Sequence, residues 1–160
     1  RILYNFQRIN ISDYFSDCVE EVGLDLESKN IKLNFDNLVP DDTIVIADPE
    51  QMKRVINNII GNSVKYMDKD PSKGQGMIEI RLLDDVDSIR IEIEDNGRGI
   101  AAKDLGRIFE RFYRTDSSRN SSRGGSGIGL SIVKKIIEDH GGYIWATSKE
   151  GEGTCMHFVL

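Results

Sequence analysis

Two stretches of this 160-residue chain set glycines beside groups that recognise charge. Asp95-Asn96-Gly97-Arg98-Gly99-Ile100 places a carboxylate ahead of two glycines, and Gly124-Gly125-Ser126-Gly127-Ile128-Gly129-Leu130 runs into a predicted helix. A carboxylate at the end of an apolar strand can accept a hydrogen bond from an exocyclic amine, while bare backbone at Gly97 and Gly99 admits a flat ring. Free N–H groups at a helix N-terminus bind phosphate oxygens. Together the loops point to a nucleotide site. Each also has a plainer reading, because Asp-Asn-Gly is a common turn and a glycine run a common linker. No Gly-Lys-Ser/Thr follows the second run, and it does not follow a strand in a βαβ unit, so neither the P-loop nor the dinucleotide fingerprint fits.

A third group lies upstream. Asn62 and Lys65 fall within about 40° of Asn58 on a helix, whereas Met52, Ile56, Ile59 and Met67 lie with the core. The stripe also reads as a solvent face, but Asn costs about 0.5 kcal/mol or more against Ala in a helix. Asn57, Asn58 and Asn62 within six residues therefore call for a reason. An amide oxygen at Asn62 suits Mg2+, and Lys65 offers a cation to phosphate. Within residues 107–123, between the glycine loops, Arg107, Arg111, Arg114, Arg119 and Arg123 face only Glu110 and Asp116, which makes a local anion site or a solvated loop.

The elements that must position these groups follow from periodicity. Residues 11–29 read as a helix with Ile11, Phe15, Cys18, Val19, Val22 and Leu26 on one face. Ile31–Phe35 and Thr43–Ala47 read as strands, and Asp48-Pro49-Glu50-Gln51 opens a helix that runs to about Met67. Met77–Leu83 and Ser88–Glu94 form a strand pair, 127–140 a helix ended by Gly141-Gly142, and Tyr143–Thr147 and Thr154–Leu160 a second pair. The Ser-, Asn- and Gly-rich patch 117–125 reads as a lid, with Phe109, Phe112 and Tyr113 packing its hinge to the core. Mixed elements with short turns argue for an α+β two-layer sandwich: a mixed, mostly antiparallel sheet with helices on one face.

Composition narrows the class. The net charge of −6 disfavours nonspecific nucleic-acid binding. No stretch approaches the roughly 18 apolar residues of a membrane span, and no signal peptide is evident. Cys18 and Cys155 read as buried fillers in a reducing compartment. His140 and His157 have no partner at ligand spacing, which argues against a metal site of soft ligands. His140, at a helix end, reads as a cap on carbonyls.

Taken in order, these segments resemble the catalytic, ATP-binding domain of bacterial sensor histidine kinases, within the group that includes DNA gyrase, heat-shock ATPase chaperones and MutL. Asn58-x-x-x-Asn62-x-x-Lys65-Tyr66 is similar to the family's Asn box, and Asp95-x-Gly97-x-Gly99 to its first glycine box. Phe109–Arg114 is similar to its Phe box, and Gly125-Ser126-Gly127-Ile128-Gly129-Leu130 to its second glycine box. The resemblance implies that Asn62 holds Mg2+, that Asn58, Lys65 and Tyr66 line the phosphate and ribose side, and that Asp95 reads adenine beside Gly97, Gly99 and Ile100. It also implies that Gly125 to Leu130 cradle phosphates and that Arg114 and Arg123 are lid arginines, with Asn58, Lys65 and Arg114 the catalytic candidates.

Hydrolytic relatives carry a Glu where this chain has Asn58, and an amide cannot act as a general base. The resemblance therefore implies phosphoryl transfer from Mg-ATP to a histidine on a separate dimerisation domain, in two-component signalling. The alternatives are a hydrolytic switch or a serine kinase of the same superfamily. No His-acidic-x-Arg segment is present, so the expected layout is the end of a linker over 1–10 and a catalytic domain over 11–160, with a lid at about 113–126. The implied parent is a homodimer, anchored in the membrane with this domain in the cytoplasm, that signals to a response regulator.

Overall fold

Alternating apolar and polar residues build the sheet, and helical apolar stripes cover one side of it. The computed structural model describes residues 1–114 and 129–160; the lid positions from 115 on, and with them Arg123, Gly125, Ser126, Gly127 and Ile128, lie outside the described residues. The elements in chain order are β1 (Gln7–Asn10), α1 (Ile11–Ser28), β2 (Ile31–Asn37), β3 (Ile44–Ala47), α2 (Pro49–Lys65), a 3-10 turn (Pro71–Lys73), β4 (Gly76–Asp84), β5 (Ile89–Asp95), α3 (Ala102–Leu105), α4 (Gly129–Asp139), β6 (Tyr143–Lys149) and β7 (Gly153–Val159). Five strands form a sheet of order β2-β4-β5-β7-β6, and β1 pairs with β3 in a separate ribbon. Only the β2–β4 pair of the larger sheet is parallel. The mixed sheet and the one-sided helices agree with the α+β sandwich expected from sequence.

The core lies between sheet and helices. Ile78, Ile80 and Leu82 of β4, Ile91 and Ile93 of β5 and Phe158 of β7 are fully buried, as are Phe15 of α1, Met52, Val55, Ile56 and Ile59 of α2, and Val133, Ile136 and Ile137 of α4. The opposite sheet face carries Glu79, Arg81, Glu92 and Glu94, where Arg81 reaches all three carboxylates. No described helix is long and apolar enough to cross a membrane.

Two features were not visible in the sequence. Residues 7–10, assigned to a linker, pair with β3 in antiparallel register. Just before them, the Tyr4 hydroxyl donates to Asp139 Oδ2 at 2.6 Å, and the rings of Tyr4 and Phe6 meet His140 edge-on. The expectation that Phe112 packs the lid hinge is also corrected: Phe112 is exposed and takes a positive φ of 65°, whereas Phe109 packs against the core. The φ reversal at residue 112 turns the ring outward.

Candidate functional site

Strand period puts Asp95 where chemistry is possible. Ile91 and Ile93 face the helices, so Asp95, two residues on, faces them too, at the strand end. Its Oδ1 accepts from Gly97 N–H at 2.9 Å and Thr154 N–H at 3.3 Å, and the buried Ser63 of α2 adds a side-chain hydrogen bond. Burial pushes the Asp95 carboxyl above the usual carboxylate range, and those hydrogen bonds offset only part of the shift.

The loop after Asp95 is fastened on both sides. Arg98 N–H donates to the Tyr66 carbonyl at 3.0 Å, just past the end of α2. A Cβ at Gly97 would stand 2.7 Å from that carbonyl oxygen, so no larger residue fits without moving backbone. Gly99 has φ of +74°, and a Cβ there would also collide with the Lys149 carbonyl. Ile100 N–H donates to Ser148 Oγ at 2.8 Å, and Gly151 N–H to the Arg98 carbonyl at 2.7 Å. These bonds tie the loop to α2 and to the β6–β7 turn.

The polar stripe of α2 borders the same loop. Asn58, Asn62, Lys65 and Tyr66 are all half-buried. Lys65 Nζ lies 5.4 Å and the Arg98 guanidinium 5.3 Å from the centre of the Tyr66 ring, which concentrates positive charge there. At the other end of the stripe, a Cβ at Gly129 would stand 3.6 Å from Asn58 Oδ1, so the start of α4 abuts the stripe. Leu130 follows, half-buried and packed against the core. Arg114 is half-buried where the described residues stop. Asn57 does not belong to the stripe: it lines a groove of about 500 Å3 between α1 and α2, with Glu21, Asp25, Ile60 and Gly61.

Sequence reasoning missed Ser63, Ser148 and Thr154, which hold Asp95 and the loop. A buried serine on an otherwise apolar helix face was the signal for Ser63; the other two follow only from strand register.

The far end of α2 is built differently. Asp48 caps the helix, its Oδ1 accepting from Glu50 and Gln51 N–H at 3.0 and 3.1 Å. Its Oδ2 accepts from Asn5 N–H at 2.8 Å, and its own N–H donates to His140 Nε2 at 3.0 Å. Burial opposes the charge, but the three backbone donors outweigh it and hold this carboxyl below its usual range. His140 thus joins two elements, with Nδ1 2.7 Å from the Ile136 carbonyl, in line with its expected capping role.

Comparison with known proteins accords with this geometry. The sensor histidine kinase WalK of Bacillus subtilis (strain 168) is 36% identical over 160 residues, which is 98% of this chain and 25% of that protein. The sensor protein kinase WalK of Staphylococcus haemolyticus (strain JCSC1435) is 40% identical over 125 residues, 76% of this chain and 20% of that protein. The chain thus spans a quarter or less of the length of these curated relatives. The nucleotide-free catalytic domain of histidine kinase ThkA superposes with a TM-score of 0.80 at 26% identity, covering 98% of this chain and 95% of that one. Residues 47–160, well over half the chain, match the histidine kinase-, DNA gyrase B-, and HSP90-like ATPase family, and the chain belongs to that family.

Proposed function

We propose that this chain binds Mg-ATP and presents its γ-phosphoryl group to a histidine on a dimerisation domain of the same parent protein, in two-component signalling. The observation that carries the reading is Asp95: a carboxylate held at the end of a core strand, destabilised by burial, next to backbone that only glycine can supply at Gly97. A ligand amine would relieve that carboxylate, as the exocyclic amine of adenine does and the carbonyl of guanine does not. Gly97, Gly99 and Ile100 border the base.

Asn58, Asn62, Lys65 and Tyr66 line the phosphate side. The donor set there fits a magnesium-bound triphosphate: amide oxygens for a hard cation, beside Lys65 and Arg98 for anionic oxygens. Mg2+ neutralises phosphate charge when bound, with Asn62 its protein ligand. Gly129 and Leu130 open the helix at that end. Arg123, Gly125, Ser126, Gly127 and Ile128 join the proposal on sequence alone, as does the role of Arg114 as a lid arginine. Asn58 cannot take a proton from water, so ATP is held rather than hydrolysed. Phosphoryl transfer then needs mainly positioning and charge neutralisation. The parent acts as a homodimer anchored in the membrane, with this domain in the cytoplasm, and passes the phosphoryl group on to a response regulator.

The test is calorimetry with Mg-ATP, followed by labelled ATP with and without a supplied dimerisation domain from the parent. One bound nucleotide, little hydrolysis and label only on the added domain are expected. Rapid turnover by the chain alone would favour a hydrolytic switch, and absence of nucleotide binding would end the proposal.

A further inference from the structure

The sheet face away from the helices gathers a group unrelated to the nucleotide site. Cys155 and His157 alternate on β7, and Glu92 of β5 stands opposite His157 in the strand register. Their donor atoms lie within 4.8 Å of one another. His157 Nδ1 is 2.7 Å from Glu92 Oε2 and 4.0 Å from Cys155 Sγ. All three side chains are largely shielded: Cys155 is buried, and His157 and Glu92 keep 13% and 12% of their side-chain surface. We propose that Glu92, Cys155 and His157 bind a borderline-soft divalent cation of the Zn2+ class, with water in a fourth position.

The chemistry of the three donors is the main argument. Thiolate, imidazole and carboxylate are a ligand set for Zn2+ rather than Mg2+ or Ca2+. Tetrahedral Zn2+ separates its donors by about 3.3–3.6 Å. The Glu92–His157 gap would open by about 0.6 Å, the Cys155–His157 gap close by about 0.4 Å and the Cys155–Glu92 gap, within 4.8 Å, close by at most about 1.3 Å, shifts that side-chain rotation on paired strands can supply. The surroundings already orient the ligands. Arg81 Nε holds Glu92 through Oε1 at 2.9 Å, which turns Oε2 toward His157. Thr147 Oγ1 stands 2.7 Å from His157 Nε2 and can accept its proton, leaving Nδ1 as the ligand atom. Trp145 stacks on the same imidazole at 4.9 Å with rings 3° from parallel, which fixes the ring plane.

Positive charge competes for the site. Arg90 Nε lies 3.4 Å from Oε2 and Arg81 Nη2 3.7 Å from Sγ. Glu79 and Glu94, both paired with Arg81, offset that charge. The sequence hid this cluster because Glu92 is more than sixty residues from its partners, so no ligand spacing shows in the chain.

Zn2+ calorimetry on the whole chain, with Co2+ as a spectroscopic stand-in, tests the site. One equivalent of Zn2+, a thiolate-to-cobalt charge-transfer band and Co2+ quenching of Trp145, the sole tryptophan, are expected. C155S removes the band while C18S keeps it. E92Q, which preserves shape and the Arg81 bond and leaves β7 untouched, weakens Zn2+ at least about tenfold, as does H157Q. No stoichiometric Zn2+ binding, a band that survives C155S, or undiminished affinity in both E92Q and H157Q overturns the proposal.

Discussion

The two ends of α2 each lean on an aspartate, and the two are treated in opposite ways. At the N-terminus, Asp48 is almost wholly buried, yet both oxygens are filled by backbone N–H groups. At the C-terminus, Asp95 is less buried, its backbone donors crowd onto Oδ1, and its ionised form is under-stabilised. A carboxylate whose hydrogen bonds are completed within the fold is a fastener. One whose ionised form stays destabilised by burial, despite hydrogen bonds from Gly97, Thr154 and Ser63, is a candidate to meet a group that arrives from outside.

The largest effect expected from this contrast is in binding. D95N keeps an oxygen for Gly97 and Thr154 but turns an amide donor toward the incoming amine, so two donors face each other. ATP affinity should drop about 100-fold, or about 2.7 kcal/mol, with folding intact by circular dichroism; a drop under about threefold would remove Asp95 from the site. G99A acts next, on the fold. With φ at +74° and the Lys149 carbonyl in the way, a methyl group should cost about 2–3 kcal/mol in urea unfolding. D48A removes a helix cap and the Asp48 acceptor of the Asn5 N–H, for a loss of about 2 kcal/mol. Nucleotide affinity of the folded D48A protein should stay within about twofold of the parent value, measured where both are fully native; a larger loss would mean that the two ends of α2 are not independent.

Much of this was legible in the chain. Asp48-Pro49 announces the start of α2, and the Asp48 half of the cap forms as read, whereas the Asp48 N–H goes to His140 Nε2 rather than to the Gln51 side chain. The β4 and β5 alternation announces both the sheet and the direction in which Asp95 faces. The missing parts are those set by contacts distant in sequence. β1 is four residues long and exists because β3 offers it an edge, a pairing that local propensity does not encode. Phe112 reads as a core residue by type, but backbone reversal at that position overrides type. Asn57 shares the composition of the stripe and not its direction, because one residue along a helix is a turn of about 100°.

The smallest effect, and the sharpest check on the comparison, is its sign with pH. Asp48 has a native value below that of the unfolded chain, so its contribution is fully present above about pH 4 and is lost as pH falls through the lowered native value. Asp95 has a native value above that of the unfolded chain, so the native state binds the extra proton and stability falls as pH rises through the window between the two. At pH 7 the ionised Asp95 is thus a standing cost to the empty protein. D95N should therefore be more stable than the parent at pH 7, and that gain should vanish as pH drops below about 4. D48N should show the reverse at pH 7, a deficit that closes only under stronger acid. Urea midpoints across pH 3–8 for the two variants decide the matter. Parallel profiles would mean that both aspartates are fasteners, and the argument for a ligand amine at Asp95 would then lose its electrostatic basis.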